Sequence, residues 1–246
     1  MSIPPDWFRD WFGEAYLELY PHRDENEANE AVQLYLDRAE LKPGQRILDL
    51  ACGAGRHLEQ LRKAGFQITG LDLSRRLLTE ATRRPGLTGT LVRGDMRKLP
   101  FPNASFDGLV SFFTSFGYFP TPEEDLVVLT EMRRVLRSGA HFILDYMNSS
   151  WVIDQLHPTT EEVLNGRRVK QTRWIEDGHV CKRIEIERPD CNSSTIYHER
   201  VRLYRPEELE TLLQHAGLQT KSRSGSYDGV AFSKKTPRLL LLGVAE

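Results

Sequence analysis

The sequence predicts an α/β protein: a parallel β-sheet with helices on both faces, preceded by cap helices and interrupted by one antiparallel insertion. Three observations predict it. Strand-like and helix-like segments alternate from Arg46 to Tyr146. A glycine-rich turn, Gly53 to Gly55, directly follows the first apolar run. Between residues 148 and 205 the alternation stops and period-two patterning replaces it.

Taken in order, residues 7–20 place Trp7, Phe8, Trp11, Phe12, Ala15, Tyr16, Leu19 and Tyr20 on one helical stripe. A second amphipathic segment carries Ala28, Ala31, Val32, Tyr35 and Ala39 at the same spacing. Both read as helices laid against a core. Residues 47–50 form a short apolar strand, and residues 56–64 a helix closed by Gly65. Residues 66–71 make the next strand, and Ser74 is placed to cap the helix after it. Residues 87–93 and 106–111 supply two more strands. Thr121, followed by Pro122 and then Glu124, is a capping box opening a helix to Arg137 that Gly139 ends. Residues 141–146 are the fifth strand. In the insertion, residues 169–175, 180–186 and 196–203 read as strands, with Asp177-Gly178 as a hairpin turn. In its middle strand Val180, Ile184 and Ile186 share one face, and Arg183, Glu185 and Glu187 share the other. A helix over residues 206–216 and closing strands near 218–227 and 238–244 complete the pattern. The organisation is cap helices over 1–43, a core over 44–147 and 206–246, and an antiparallel insertion over 148–205.

Composition narrows the function. With 246 residues, 39% hydrophobic and 28% charged, the chain is an ordinary globular protein. A formal charge of −2 offers no basic excess for a polyanion, so no nucleic-acid partner is expected, and Arg75/Arg76 and Arg83/Arg84 read as solvated helix faces. Cys52, Cys181 and Cys191 lack the paired spacing of a zinc site or a disulfide framework. The start, with Pro4, Pro5 and Asp6, lacks the order of a signal peptide, and no apolar run has bilayer length. A cytoplasmic location without membrane partner is therefore expected, and the sequons at Asn103, Asn148 and Asn192 lack the secretory context that would give them meaning.

The motifs carry the chemistry. In Ile47-Leu-Asp-Leu-Ala-Cys-Gly-Ala-Gly-Arg-His57, Gly53 and Gly55 allow a tight turn and a close approach of backbone to ligand. Asp72, at the tip of the second strand, can accept both ribose hydroxyls of a nucleoside or cap the next helix; the glycine loop upstream favours the ribose. Asp95 can accept from an adenine amino group while Met96 packs its sulfur on the ring.

The successive stretches ILDLACGAGRH, GLDLS, GDMRKLPF, SFDGLVSFFTSFGYF and MRRVLRSGAHFILDY resemble the motifs of class I S-adenosylmethionine-dependent methyltransferases. The resemblance covers residues 44–147 closely and 206–246 more loosely. It implies a Rossmann-like seven-stranded sheet whose last strand runs antiparallel, with S-adenosyl-L-methionine as cofactor. It also implies that Asp49 lies under the methionine amino group, with Gly53 and Gly55 against the cofactor. Asp72, with Leu73 beside it, would take the ribose, Asp95 and Met96 the adenine, and Phe112 the next stretch of wall. Ala51 stands where such sequences often carry their first glycine, and the spacing does not match G-x-G-x-x-G, so a nicotinamide dehydrogenase fits poorly. Ser111-Phe-Phe-Thr-Ser115 stands where relatives methylating nucleobase amines or Gln side chains carry Asn-Pro-Pro-Tyr, which disfavours those acceptors. Cap helices of small-molecule members resemble this N-terminus and imply that Tyr20 or Arg23 closes over the methionine carboxylate; Arg56 has a similar claim, and Tyr16 reads as core.

Methyl transfer needs alignment more than acid–base chemistry. Catalytic candidates are Tyr118, Tyr146 and Asp145, near the ends of the fourth and fifth strands, whereas His141 sits at the wrong end and reads as structural. The insertion resembles extra strands in members acting on small amines, amino acids and sugars, where they roof the pocket or build a dimer. Trp151, Trp174 and Tyr197 are its candidate roof residues, and a homodimer through it is an expectation. The favoured function is methylation of nitrogen or oxygen of a small-molecule methyl acceptor. A protein or RNA methyltransferase and a non-catalytic S-adenosylmethionine-binding module are the alternatives.

Overall fold

The computed structural model describes residues 3–20, 25–187 and 193–246. Two short helices, α1 (Phe8–Trp11) and α2 (Glu14–Leu19), precede the longer α3 (Glu25–Arg38). The expected single stripe over residues 7–20 is thus broken, because Gly13 adopts an extended conformation that ends one helix and admits the next. From there β1 (Arg46–Leu50), α4 (Arg56–Lys63), β2 (Gln67–Asp72), α5 (Arg75–Ala81), β3 (Leu91–Arg93), β4 (Phe106–Ser111), α6 (Pro122–Val135) and β5 (Leu136–Met147) alternate. The insertion follows as α7 (Ser149–Asp154), β6 (Thr159–Leu164), β7 (Arg167–Glu176), β8 (His179–Glu187) and β9 (Ser194–Arg202), and α8 (Pro206–His215), β10 (Leu218–Ser224) and β11 (Arg238–Ala245) close the chain.

The main sheet has seven strands in the order β10-β11-β5-β4-β1-β2-β3, and β11, between β10 and β5, is the antiparallel one. The central strands are buried on both faces, as a parallel sheet between helical layers requires. Ile47, Val110, Ile143, Leu240 and Leu242 meet the layer containing Val32, Tyr35, Leu58, Leu61 and Leu78. Leu48, Leu109, Phe142, Leu144 and Leu241 meet Val128, Leu129, Met132, Leu209 and Leu213. Burial of each such side chain contributes about 1.5–3 kcal/mol, so two continuous layers rather than any single contact hold the sheet.

Three boundaries differ from expectation. β3 begins at Leu91 rather than Leu87, because Gly86 and Gly89, both at positive φ, turn the chain first. α6 stops at Val135, and Leu136 is already extended, because the backbone carbonyls of Arg134 and Val135 accept the amides of Ala104 and Ser105 ahead of β4. Gly139 therefore lies within the β5 span, at φ 76. The insertion also carries a fourth strand, β6, which pairs with β7 at the edge of a sheet ordered β6-β7-β8-β9. Its run Thr-Thr-Glu-Glu-Val-Leu is almost wholly exposed and has no apolar alternation to betray it. The Asp177-Gly178 turn joins β7 to β8 with both residues at positive φ, the geometry of a two-residue hairpin. No helix among the described residues is long and apolar enough to cross a membrane.

Candidate functional site

A cavity of about 680 Å³ opens at the carboxyl ends of β1, β2, β3 and β4. This is where open α/β sheets collect ligands, because the loops there diverge. Its wall comes from the four loops after those strands, from α1 and α2, and from β8 and β9.

The loop after β1 takes the left-handed conformation at Ala51 (φ 61), Gly53 (φ 53) and Gly55 (φ 77). Gly55 is required twice over, since a Cβ there would lie 2.6 Å from Leu87 Cδ1. At Gly53 a Cβ would make only an ordinary contact, 3.9 Å from Leu77 Cδ1, and the dihedral alone demands glycine. Ala51 holds the same conformation with a side chain, at a local cost of about 1–2 kcal/mol.

Asp72 ends β2 in the cavity wall, 8% exposed. Its Oδ2 accepts the amide of Gly53 at 2.8 Å and its Oδ1 the amide of Ser74 at 2.7 Å. The helix cap is Ser74 instead, whose Oγ accepts from Leu77 N at 3.1 Å and donates to Phe12 O at 2.5 Å. One serine thus starts α5 and ties the N-terminal segment to the site. Burial pushes the Asp72 carboxyl up, opposed by those backbone amides. Asp49 is 1% exposed and stays off the cavity surface, and its Oδ2 has no hydrogen-bond partner among the described residues. Burial, and then the Asp72 carboxylate, push its carboxyl up to about 8, with Arg56 opposing.

Asp95 lies in the wall with Met96 and Leu73. It is clamped by Arg97, which donates to Oδ1 at 3.1 Å and Oδ2 at 2.8 Å and holds its pKa below the ordinary carboxylate value. Phe112 is 2% exposed and reaches the wall with its ring tilted over His57, centroids 4.5 Å apart. The next two residues, Phe113 (φ 63) and Thr114 (φ 57), are both left-handed. Asp145 holds them there: its Oδ2 accepts Phe113 N at 2.6 Å and its backbone oxygen accepts Thr114 N at 3.0 Å.

Asp145, expected as a possible base, is therefore a structural anchor. It is 0% exposed, takes two bonds from Arg238 at 2.8 and 2.6 Å, and accepts from the Tyr227 hydroxyl at 2.5 Å. Tyr146 is not in the cavity wall either: it is fully buried and its hydroxyl donates to the carbonyl of Arg202. Tyr118 does line the cavity, with its hydroxyl donated to Thr114 O at 2.6 Å. Tyr16, expected in the core, is on the cavity wall, edge-on to Phe12 at 5.0 Å and to Tyr20 at 5.3 Å. Tyr20 and Arg56 line the cavity as well, and Arg23 lies outside the described residues. His141 belongs to the sheet, where its carbonyl accepts from the Tyr35 hydroxyl at 3.0 Å.

Of the expected roof residues, Trp174 is opposite Cys181 and so on the face of its sheet away from Lys182. Tyr197 faces inward but packs on Trp11 at 5.2 Å, and Trp151 is half-buried outside the lining. The roof is instead Lys182, Glu199 and Val201. Lys182 has the same parity as Val180, Ile184 and Ile186, so an ionisable residue on an apolar face was the available sign. No cluster of metal-ligating side chains occurs among the described residues.

This donor set fits an adenosyl sulfonium. Asp72 and Asp95 stand in the cavity wall near the glycine-bearing loop after β1, acceptors suited to hydroxyl and amino donors. In fold the chain is similar to class I S-adenosylmethionine-dependent methyltransferases. Residues 47–139 match the family model for a methyltransferase domain. Over 133 residues the chain is 38% identical to dTDP-3-amino-3,4,6-trideoxy-alpha-D-glucopyranose N,N-dimethyltransferase of Streptomyces venezuelae, a match covering 54% of this chain and 55% of that one. The matches span little more than half the length of the first two curated relatives, 58% and 55%. Among solved structures, an S-adenosylmethionine-dependent methyltransferase of Clostridium acetobutylicum superposes with a TM-score of 0.78 at 22% identity, covering 94% of this chain and 96% of that chain. A sugar N-methyltransferase from a Streptoalloteichus species gives 0.73 at 22% identity, covering 95% and 94%. These two likenesses concern the fold, the whole of it, insertion included.

Proposed function

We propose that this protein transfers a methyl group from S-adenosylmethionine to nitrogen or oxygen of a small metabolite. The observation that carries the reading is one cavity whose wall joins the acid-ended strands to aromatic side chains of the cap and to the inserted sheet. When bound, S-adenosylmethionine supplies a methyl group already activated on a sulfonium sulfur. The remaining work is binding and alignment, to which a well-oriented site can contribute about 7–11 kcal/mol of barrier.

Asp72 and Leu73 hold the ribose in this reading, Asp95 and Met96 the adenine, and Phe112 the ring edge. Ala51, Gly53 and Gly55 bring backbone to the methionine end above Asp49, which Tyr20 closes from the cap. The Asp145 anchor fixes the loop from Phe113 to Ser115 in the wall, so that an acceptor meets a rigid surface. Trp7, Phe12, Tyr16 and Tyr118 shield the acceptor half from water. A cavity of about 680 Å³ and a near-neutral chain favour a small acceptor over a peptide or a nucleic acid. Two buried thiols, Cys52 and Cys181, fit a reducing setting such as the cytoplasm, and the open edge of β6 is where two copies would pair.

The test is transfer of labelled methyl from S-adenosylmethionine into a size-fractionated bacterial extract. Label in the small-molecule fraction supports the reading. Label in protein or RNA overturns it, and absence of both label and S-adenosylhomocysteine binding removes the methyltransferase reading altogether.

A further inference from the structure

The inserted sheet contributes three side chains to the cavity wall among the described residues, Lys182, Glu199 and Val201. Lys182 and Glu199 are cross-strand partners on β8 and β9. Their charged ends are 2.7 Å apart, with the side chains only 17% and 21% exposed, and Lys182 Nζ also donates to the Tyr20 hydroxyl at 3.1 Å. Burial acts to lower the Lys182 pKa, yet the Glu199 charge and the Tyr20 oxygen more than offset it, and the ammonium is held above its ordinary value. Around this pair the same face of the sheet is apolar, with Val180, Ile184 and Ile186 on β8 and Val201 on β9.

An ion pair in such a place is a poor way to stabilise a fold, because the desolvation cost commonly matches the attraction and apolar side chains of similar volume do as well or better. It is a good way to recognise a ligand. The two charges cancel, so a ligand carrying only a carboxylate meets Glu199 beside Lys182, and one carrying only an ammonium meets Lys182 beside Glu199. A ligand with both charges on neighbouring atoms satisfies both. The wall beyond the pair is aromatic, with Tyr20, Tyr16, Phe12 and Tyr118 in successive ring contact, suited to an apolar side chain or a methylammonium face.

We propose that Lys182 and Glu199 are the acceptor-recognition pair and that the methyl acceptor is an amino-acid zwitterion, its carboxylate on Lys182 and its amino group on Glu199. The inference rests on the methyltransferase reading and deepens it. Asp72, Asp95, Arg75 and Arg93, also in the wall, come from the ends of β2 and β3 and the loops and helix ends beyond them, and Arg9 comes from α1.

The test is calorimetric titration of the S-adenosylhomocysteine-loaded protein with the common amino acids. The tightest binder is then compared with its decarboxylated amine and its deaminated acid. At least one amino acid is expected to bind, and deletion of either charge to weaken it by about tenfold or more. Lys182→Met should bring the zwitterion down to the affinity of the amine, and Glu199→Gln down to that of the acid. Since each leaves one charge unpaired, the double variant Lys182→Met/Glu199→Leu, which buries none, guards against misfolding: it should bind S-adenosylhomocysteine and lose the preference for zwitterions. Binding of no amino acid, equal binding of the singly charged analogues, or tighter binding of a neutral polyhydroxy amine overturns the inference while the cofactor still binds. Failure of S-adenosylhomocysteine to bind would instead strike the methyltransferase reading itself.

Discussion

Replacing Arg238 by Met keeps most of the aliphatic stem and deletes the guanidinium, and the buried anchor behind the cavity sets the cost. Asp145 is 0% exposed, so its carboxylate would retain the Phe113 amide and the Tyr227 hydroxyl but lose its countercharge and two of its donors. Breaking a buried pair from one side costs about 3–5 kcal/mol. The exposed pair Arg168–Glu161, with side chains 58% and 38% exposed, belongs to the class worth about 0–1 kcal/mol. The guanidinium also lies 4.9 Å from the centres of the Phe113 and Tyr227 rings, contacts that Met does not replace. Phe113 and Thr114 meanwhile hold left-handed backbone at about 1–3 kcal/mol each, a strain that persists only while the surroundings over-determine it.

Arg238→Met is therefore expected to lower the unfolding free energy by about 3–5 kcal/mol, read by urea titration of tryptophan fluorescence. For a chain of this size that is a fall of roughly 6–20 °C in melting temperature. S-adenosylhomocysteine binding should weaken as well, since the relaxed loop carries Phe112. A double-mutant cycle with Asp145→Asn should show coupling at or above the roughly 0.5–3 kcal/mol usual for contacting residues. A loss under about 1 kcal/mol, no larger than that of Arg168→Met measured beside it, would refute the claim that this pair holds the loop.

Two further perturbations test the nucleoside half. Asp72→Ala should weaken S-adenosylhomocysteine binding by about tenfold or more while the protein stays folded, and unchanged affinity by calorimetry would remove the ribose assignment. Asp49 gives a pH signature. Its folded carboxyl is pushed up to about 8, first by burial and then by Asp72, against an ordinary 3.8, so the folded protein keeps a proton that the unfolded chain releases. The contribution is complete below the unfolded value and is lost as pH rises through the folded one. Thermal melts between about pH 5 and 8 should therefore show stability declining with pH, and Asp49→Asn should flatten the slope. An equal slope in the variant would place the titration elsewhere.

The cavity residues at the strand ends were legible because their signals are local. Asp72 ends β2, Gly53, Gly55, Asp95 and Met96 follow a strand within five residues, and the strand ends could be placed from apolar runs. The contacts beneath the inserted sheet and behind the cavity wall were not, because they join residues distant in sequence. Lys182 meets Tyr20 across 162 positions and Arg238 meets Asp145 across 93. The period-two pattern did put Val180, Ile184 and Ile186 on one face, and Lys182 shares their parity. Yet nothing in the pattern says whether a lysine there snorkels to solvent or turns into a cavity. The edge strand β6 escaped for the opposite reason: exposed on both sides, it needs no apolar period at all.

The same parity explains why Asp145 and Tyr146 could not both be catalytic, although both end β5. Neighbours on a strand point to opposite faces. Asp145 turns to Phe113, Tyr227 and Arg238, while Tyr146 turns to the other side, where its hydroxyl would lie 2.5 Å from a Cβ at Gly117. Gly117, at φ 78, donates nothing to Tyr146 but accepts the amide of Arg202, the residue whose carbonyl takes the Tyr146 hydroxyl. One strand end thus fixes two different things. Through Asp145 it sets the loop that walls the cavity, and through Tyr146 it docks the last inserted strand, β9, which carries Glu199 into the roof. The polar groups at the tip of β5 brace the cavity wall from both sides without entering it.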